Sequence, residues 1–118
     1  PATAPGKVRG TPSYMAPEQL LGKPIDPRCD VYGVGCTLWE ALTGLPYIKV
    51  RKRVGDTLTA VLQRKPEAPS KIRPKIPPYL DALVVRSLAR DPDERFQSCM
   101  EMKRACDAAM NAAVKEGW

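Results

Sequence analysis

The segment from Val31 to Gly44 constrains the fold most, because it is long, apolar and almost free of charge. Glu40 is the only charged residue within it. Four large apolar side chains recur at spacings that place them on one face of an α-helix, namely Val31, Val34, Leu38 and Leu42. A helix with so few polar positions is stable only where other elements cover it. We therefore expect this helix to be the buried centre of the fold.

Both ends of this helix carry residues that suit helix termini. Asp30 stands where an N-cap or first-turn carboxylate faces the positive end of the helix dipole. Gly44 follows the last periodic residue and supplies the left-handed conformation that commonly closes a helix. The pattern therefore predicts a helix that begins at Asp30 and ends at Thr43.

Weaker patterns predict the elements on either side. A short helical turn is expected over Glu18–Leu21, because Pro17 suits a first helical position. A short amphipathic helix is expected over residues 56–63, after a loop over residues 45–53. Residues 65–78 contain five prolines, which predicts an extended crossing without a regular element.

The last part of the chain predicts two more helices. The first covers residues 79–89, with Leu80, Leu83, Val84 and Leu88 on one face. Ser98 and Glu101 form a capping-box pattern that opens the second. Its apolar side carries Met102, Ala105, Cys106, Ala109 and Ala113. Because the 118 residues show no convincing strand pattern, the predicted class is all-α, in a single domain.

The formal net charge of +6 favours an acidic partner. The excess is spread along the chain except at Lys49–Arg53, where four of five residues are basic. That run is consistent with docking of acidic substrates or of a regulatory segment, although a solvated loop is the favoured interpretation. Nucleic acid is not a favoured partner, because basic runs of this kind are usually solvated.

Four cysteines and the absence of histidine bear on metal sites and on the compartment. Cys29, Cys36, Cys99 and Cys106 form no Cys-x-x-Cys motif, so the usual zinc sites have no ligand set and no metal site is predicted. Free thiols in a reducing compartment are the expected state. No apolar run is long enough for a membrane span and no signal peptide is recognised, so we expect a cytoplasmic chain without a membrane segment.

Three separated segments together resemble the protein kinase family, in the family's order. They are Gly10–Glu18 (Gly-Thr-Pro-Ser-Tyr-Met-Ala-Pro-Glu), Asp30–Gly44, and Arg90–Phe96 (Arg-Asp-Pro-Asp-Glu-Arg-Phe). The Ala-Pro-Glu tripeptide is a kinase signature that follows the phosphorylation loop. The chain is similar to the C-terminal part of the large lobe of a bacterial-type serine/threonine kinase domain. The resemblance implies an incomplete, helical, large-lobe portion of a kinase-like fold.

The resemblance also implies a division of the chain. Residues 1–9 would be an activation-segment tail or loop, residues 10–114 a partial large lobe, and residues 115–118 a C-terminal tail. Within the tail, Thr3 is the candidate phospho-acceptor. Lys7 occupies the position where many kinases carry their main phosphorylated threonine.

The resemblance also implies roles for individual residues. Those implied to bind substrate are Gly10, Thr11, Pro12, Tyr14 and Met15. Thr11 stands where tyrosine kinases have a tryptophan-containing segment, which favours serine/threonine substrates. By the same resemblance, Thr11 would hydrogen-bond the catalytic aspartate and its neighbouring lysine.

Three further residues are implied to have supporting roles. Asp30 would accept backbone N–H groups of the catalytic loop and so support it. Glu18 and Arg95 would form a buried, structural ion pair, for which a guanidinium and a carboxylate are well matched.

The function implied by the resemblance is phosphorylation of protein Ser/Thr hydroxyl groups, using ATP and Mg by the parent protein. This chain contributes no catalytic residue and binds no cofactor itself, because no His-Arg-Asp, Asp-Phe-Gly or glycine-rich loop occurs in it. Its partners would be the protein substrate and the missing N-terminal half of the kinase domain. The alternative is a non-catalytic helical module, derived from a kinase lobe, that binds other proteins.

Overall fold

The computed structural model describes residues 14–117, which contain α-helices and short 3-10 turns, among them Pro69–Lys71 and Pro92–Glu94, but no β-strand. The all-α class is therefore confirmed for this part of the chain. The helices are α1 (Pro17–Leu20), α2 (Arg28–Thr43), α3 (Val54–Gln63), α4 (Pro78–Ser87) and α5 (Cys99–Lys115). Thr3, Gly10, Thr11, Pro12 and the predicted tail over residues 1–9 lie outside the described residues.

Helix α2 is the central element, as its apolar sequence predicts. It packs against α4, α5 and the 3-10 turn at Pro69–Lys71. Its buried positions are Cys29, Val31, Tyr32, Gly35, Cys36, Trp39 and Thr43. The predicted apolar stripe is wrong in part, because Val34 is 43% exposed. The covered face runs instead through Tyr32, Cys36 and Trp39, beside a glycine that allows α4 to approach closely.

That glycine is Gly35, which faces the C-terminal end of α4. A Cβ atom at this position would lie 2.8 Å from the Cβ of Ser87 and 3.2 Å from Cδ2 of Leu88. Only a residue without a side chain allows this separation, since atoms of a packed interior rarely approach so closely. The sequence pattern missed this contact because a glycine adds nothing to an apolar period.

The start of α2 differs from the predicted one. The helix begins at Arg28, with Pro27 as the N-cap residue, so Asp30 occupies the first turn and makes no capping hydrogen bond. The carboxylate of Asp26 takes that role by accepting the backbone N–H of Arg28 at 2.8 Å. The predicted end is confirmed, because Gly44 has φ +77° and donates its N–H to Glu40.

The remaining helices agree with the predicted ones to within two residues at their starts. In α5, the hydroxyl of Ser98 accepts the N–H of Glu101 at 3.0 Å, as the capping-box pattern predicts. In a capping box, the glutamate would in turn accept the backbone N–H of the N-cap residue Ser98. Here the carboxylate of Glu101 instead accepts the N–H of Gln97 at 3.1 Å. The buried positions of this helix are Met102, Ala109 and Ala113.

The proline-rich segment is not wholly irregular, which corrects the prediction for residues 65–78. A 3-10 turn occupies Pro69–Lys71, and Asp81 of α4 accepts the N–H of Ser70 at 2.9 Å. Proline is favourable at the first position of such a turn, where its missing N–H has no partner to lose. Over residues 14–117, no helix is long and apolar enough to cross a membrane.

Candidate functional site

Glu18 at the start of α1 and Arg95 before α5 meet in the interior. The guanidinium Nη1 donates to Oε2 of Glu18 at 2.6 Å, and Nη2 donates to Oε1 at 2.8 Å. The two side chains are 8% and 0% exposed. This two-point geometry is the strongest arrangement that a carboxylate and a guanidinium can form.

Backbone carbonyls use the remaining hydrogen-bonding capacity of Arg95. Its Nε donates to the carbonyl of Ala89 at 2.6 Å, Nη1 to that of Arg28 at 3.1 Å, and Nη2 to that of Arg90 at 3.2 Å. The Tyr32 ring lies 5.1 Å from the guanidinium carbon. Arg95 therefore joins α1, the start of α2 and the loop before α5 in one polar centre.

The side chain of Arg28 joins the start of α2 to the loop before α5 nearer the surface. Its Nη1 donates to Asp93 at 2.6 Å and to Gln97 at 3.0 Å, while Nε and Nη2 donate to Asp26. The pKa of the Asp26 carboxyl is lowered, mainly by its hydrogen bond from Arg28. Sequence reasoning missed this cluster, because the only local signal is the two-residue spacing of Asp26 and Arg28.

Tyr14 and Met15 precede α1 and lie beside α2. The hydroxyl of Tyr14 donates to the carboxylate of Glu40, and this hydrogen bond is the main reason that the pKa of Tyr14 is raised. The Tyr14 side chain remains 40% exposed. Glu40, the only charged residue between Val31 and Gly44, thus holds the segment that precedes α1.

An open groove follows this segment along α2. Its lining consists of Tyr14, Met15, Gln19, Cys29, Asp30, Gly33, Val34 and Thr37. Asp30 is exposed, and its only side-chain contact among the described hydrogen bonds is a weak one from the Cys29 thiol at 3.9 Å. The structure therefore brings Tyr14, Met15 and Asp30 to one surface. Glu18 of α1 and Arg95 instead meet in the interior.

An aromatic cluster fixes the loop that follows α2. The indole N–H of Trp39 donates to the carbonyl of Glu67 at 3.0 Å, and the Tyr47 ring lies 5.4 Å away in an edge-on arrangement. The guanidinium of Arg64 lies 4.5 Å from the centre of the Tyr47 ring. Burial raises the pKa of Tyr47 to about 12. The cluster connects the central helix with the proline-rich segment.

In residues 14–117, no group of three or more His, Cys, Asp or Glu side chains lies together in a way that could hold a metal ion. The four cysteines are free thiols, two of them buried. Burial raises the pKa of Cys36 to about 12.

Comparison with known proteins gives consistent matches over nearly the whole chain. Serine/threonine-protein kinase PknD of Chlamydia pneumoniae is 40% identical over 116 residues, which is 96% of this chain. PksC of Streptomyces coelicolor is 42% identical over 106 residues, and PknB of Mycolicibacterium smegmatis 40% over 105, each covering 86% of this chain. The chain spans only 12%, 18% and 16%, respectively, of the length of these relatives.

The family comparison agrees with these relatives. The protein kinase domain family matches residues 2–107. The match therefore includes the Ala-Pro-Glu segment, the central helix and the loop that carries Arg95. With this match and the bacterial relatives, the chain belongs to the protein kinase domain family, as a helical part of that domain.

Proposed function

We propose that the chain supplies the substrate-binding segment and the scaffold of the large lobe in a serine/threonine protein kinase. The whole protein would transfer the γ-phosphate of ATP to a serine or threonine hydroxyl of a protein substrate. The observation that carries the proposal is the groove on α2, where Tyr14, Met15 and Asp30 share one exposed surface. The buried Glu18–Arg95 pair supports it, because it holds the backbone next to that surface.

Individual roles follow from position in this proposal. Tyr14 and Met15 belong to the surface that receives the residues around the phospho-acceptor. Substrate binding is also the proposed role of Gly10, Thr11 and Pro12. Tyr14 is oriented for this by its hydrogen bond to Glu40. Such orientation matters because phosphoryl transfer depends mainly on positioning and on charge neutralisation.

Asp30 has a free carboxylate at the edge of the groove in this proposal. It stands in the first turn of α2 without a capping bond, so it has acceptor capacity for backbone N–H groups of a catalytic loop.

Thr3 remains the candidate phospho-acceptor of the activation segment. ATP and Mg²⁺ are the proposed phosphate donor and metal of the whole protein, as in the family. The cytoplasm is the proposed location, supported by the four free thiols.

The experiment compares two aspartates in the full product of the gene that encodes this chain. Asp30→Asn and Asp56→Asn each neutralise an exposed carboxylate in the first turn of a helix. Phosphate transfer from labelled ATP to a serine/threonine peptide library is measured for each protein. We expect Asp30→Asn to lower the rate about tenfold or more, since misplacement of catalytic groups is costly. Asp56→Asn should leave the rate unchanged.

A thermal melt of the same proteins separates positioning from folding. Both variants should melt within a few degrees of wild type, because an exposed first-turn charge contributes only about 0.3–1 kcal/mol. Equal activity of the two variants would contradict the role of Asp30. Absence of any phosphate transfer by the wild-type product would contradict kinase function itself.

The second candidate function is a non-catalytic helical module that binds other proteins. The exposed side chain of Val34 within the groove favours it, because apolar side chains at a groove suit a protein partner. The gene sequence upstream of Pro1 distinguishes the two functions. In-frame His-Arg-Asp and Asp-Phe-Gly motifs would support the kinase, and a start codon immediately before Pro1 would support the module.

A further inference from the structure

The loop between α2 and α3 carries a concentrated positive charge. Lys49, Arg51, Lys52 and Arg53 form what we term the basic loop, residues 49–53, and all four are exposed. Two large apolar side chains are exposed in or next to it, Val50 at 58% and Val54 at 54%. The loop therefore presents cations and apolar groups together.

None of these four cations is in an ion pair with another described residue. The salt bridges within residues 14–117 involve Arg28, Arg64, Arg86, Arg95 and Lys103 as the basic partners. Asp56 is the only acidic residue between Glu40 and Glu67. Within the described residues, the positive charge of the loop is thus not neutralised by an ion pair.

The basic loop is anchored at its start and in its middle. Tyr47 and Ile48, directly before it, are 3% and 2% exposed. In the middle, the backbone N–H of Arg51 donates to the hydroxyl of Thr57 at 2.8 Å, and Thr57 is 1% exposed. An anchored loop loses less conformational entropy when it binds a partner than a free one does. This distinguishes it from an ordinary solvated loop.

We propose that the basic loop docks an acidic, partly apolar segment of the protein substrate. The inference rests on the proposed kinase function and adds to it a substrate class. Complementary charge supplies attraction and specificity, while Val50 and Val54 supply apolar contact. A protein segment fits better than a single-stranded nucleic acid, because the neighbouring aromatic ring, that of Tyr47, is buried and offers no face for base stacking.

The first test measures phosphorylation by the full gene product. Two peptides share one serine/threonine acceptor, and only one carries an added tract of Glu, Asp and Leu; the other has Gln, Asn and Leu instead. Wild type should show a KM about tenfold lower for the acidic peptide, as several weak exposed ion pairs act together. Lys49→Glu with Lys52→Glu should abolish that difference and leave the neutral peptide unaffected.

The control variant makes the same change in net charge outside the basic loop. Lys71→Glu with Lys75→Glu also reverses two exposed lysines. It should keep the preference for the acidic peptide. If it abolishes the preference as fully as the loop variant does, the effect is one of net charge and the proposal is overturned.

The second test reads binding without catalysis. Fluorescence anisotropy follows a labelled acidic peptide that lacks serine and threonine, at low and at high NaCl. We expect saturable binding that weakens with salt and is lost in the loop variant. No binding at low salt would overturn the docking proposal even if the protein is an active kinase. Tighter, loop-dependent binding of single-stranded DNA or of phosphatidylserine vesicles would overturn a protein partner.

Discussion

Arg95 and Glu18 lie 77 positions apart in the sequence and are joined by two hydrogen bonds in the interior. The pair connects the segment before the last helix with the segment that precedes the central helix. Because its members come from distant parts of the chain, it constrains tertiary structure rather than any single helix.

We predict that removal of either partner strongly destabilises the protein. Glu18→Gln should lower the free energy of unfolding by about 3–5 kcal/mol, because it leaves a buried cation without its counter-charge. Arg95→Met should cost at least as much, since it also leaves three backbone carbonyls without their donor. Urea unfolding at neutral pH measures both.

The matched control is an ion pair at the surface. Lys103 and Asp107 on α5 are paired at 3.0 Å, with side chains 67% and 62% exposed. Asp107→Asn should change the free energy of unfolding by no more than about 0.5 kcal/mol. If Glu18→Gln has an effect as small as this, the interior pair does not hold the fold together.

We predict opposite effects for two glycine-to-alanine changes within helices. Gly35→Ala should destabilise by about 1–3 kcal/mol, because its Cβ would lie 2.8 Å from the Cβ of Ser87. Gly55→Ala in α3 should stabilise by up to about 1 kcal/mol, since nothing lies within 4 Å and alanine favours a helix. Thermal melting of both variants is the measurement, and the same sign for both would refute the close α2–α4 contact.

We predict that stability falls at alkaline pH through the Cys36 thiol. Burial raises its pKa from 9.0 to about 12, so between these values the folded state keeps a proton that the unfolded state has released. The contribution of this thiol is complete below pH 9 and is lost as pH rises towards 12. The slope should reach at most about 1.4 kcal/mol per pH unit.

Urea unfolding at pH 8, 9 and 10 checks this prediction against Cys36→Ala. The variant should lose less stability over this range than wild type does. Alkylation by iodoacetamide offers an independent measurement, because the exposed Cys99 should react long before the buried Cys36. Equal slopes, or rapid modification of Cys36 in the folded protein, would contradict the prediction.

We predict that the hydroxyl of Thr57 protects the amide of Arg51. In Thr57→Val the hydrogen bond of 2.8 Å is lost, and hydrogen exchange at the Arg51 amide should become faster by about tenfold, equivalent to about 1.4 kcal/mol. Thr59→Val on the same helix is the control, because its hydroxyl donates only to the carbonyl of Gly55. An unchanged exchange rate at the Arg51 amide in Thr57→Val would mean that Thr57 does not anchor the basic loop.

The central helix shows how far a sequence pattern reaches. Its apolar composition correctly indicated a buried element, and Gly44 correctly marked its end. The buried face was misassigned at Val34, because periodicity treats every apolar residue alike and ignores the small residue that lets a neighbour approach. The start was misplaced because Asp26, outside the periodic segment, accepts the N–H of Arg28.

The residues of the candidate site likewise include some that could be predicted and some that could not. The resemblance to the kinase family predicted that Glu18 and Arg95 are partners. No local sequence pattern could have predicted a pair so far apart in the chain. The Arg28 cluster with Asp93 and Gln97 carries no such signal, because exposed charges of either sign are common and their pairing depends on the tertiary fold.

The position of Trp39 makes the protein its own optical probe. The ring is 2% exposed, lies edge-on to Tyr47 and is bonded through its indole nitrogen to the proline-rich segment. The chain has only one other tryptophan, Trp118. Within these 118 residues, a Trp118→Phe change would therefore leave Trp39, at the centre of the fold, as the one source of indole fluorescence. A red shift of that emission would signal water reaching the core without any attached label.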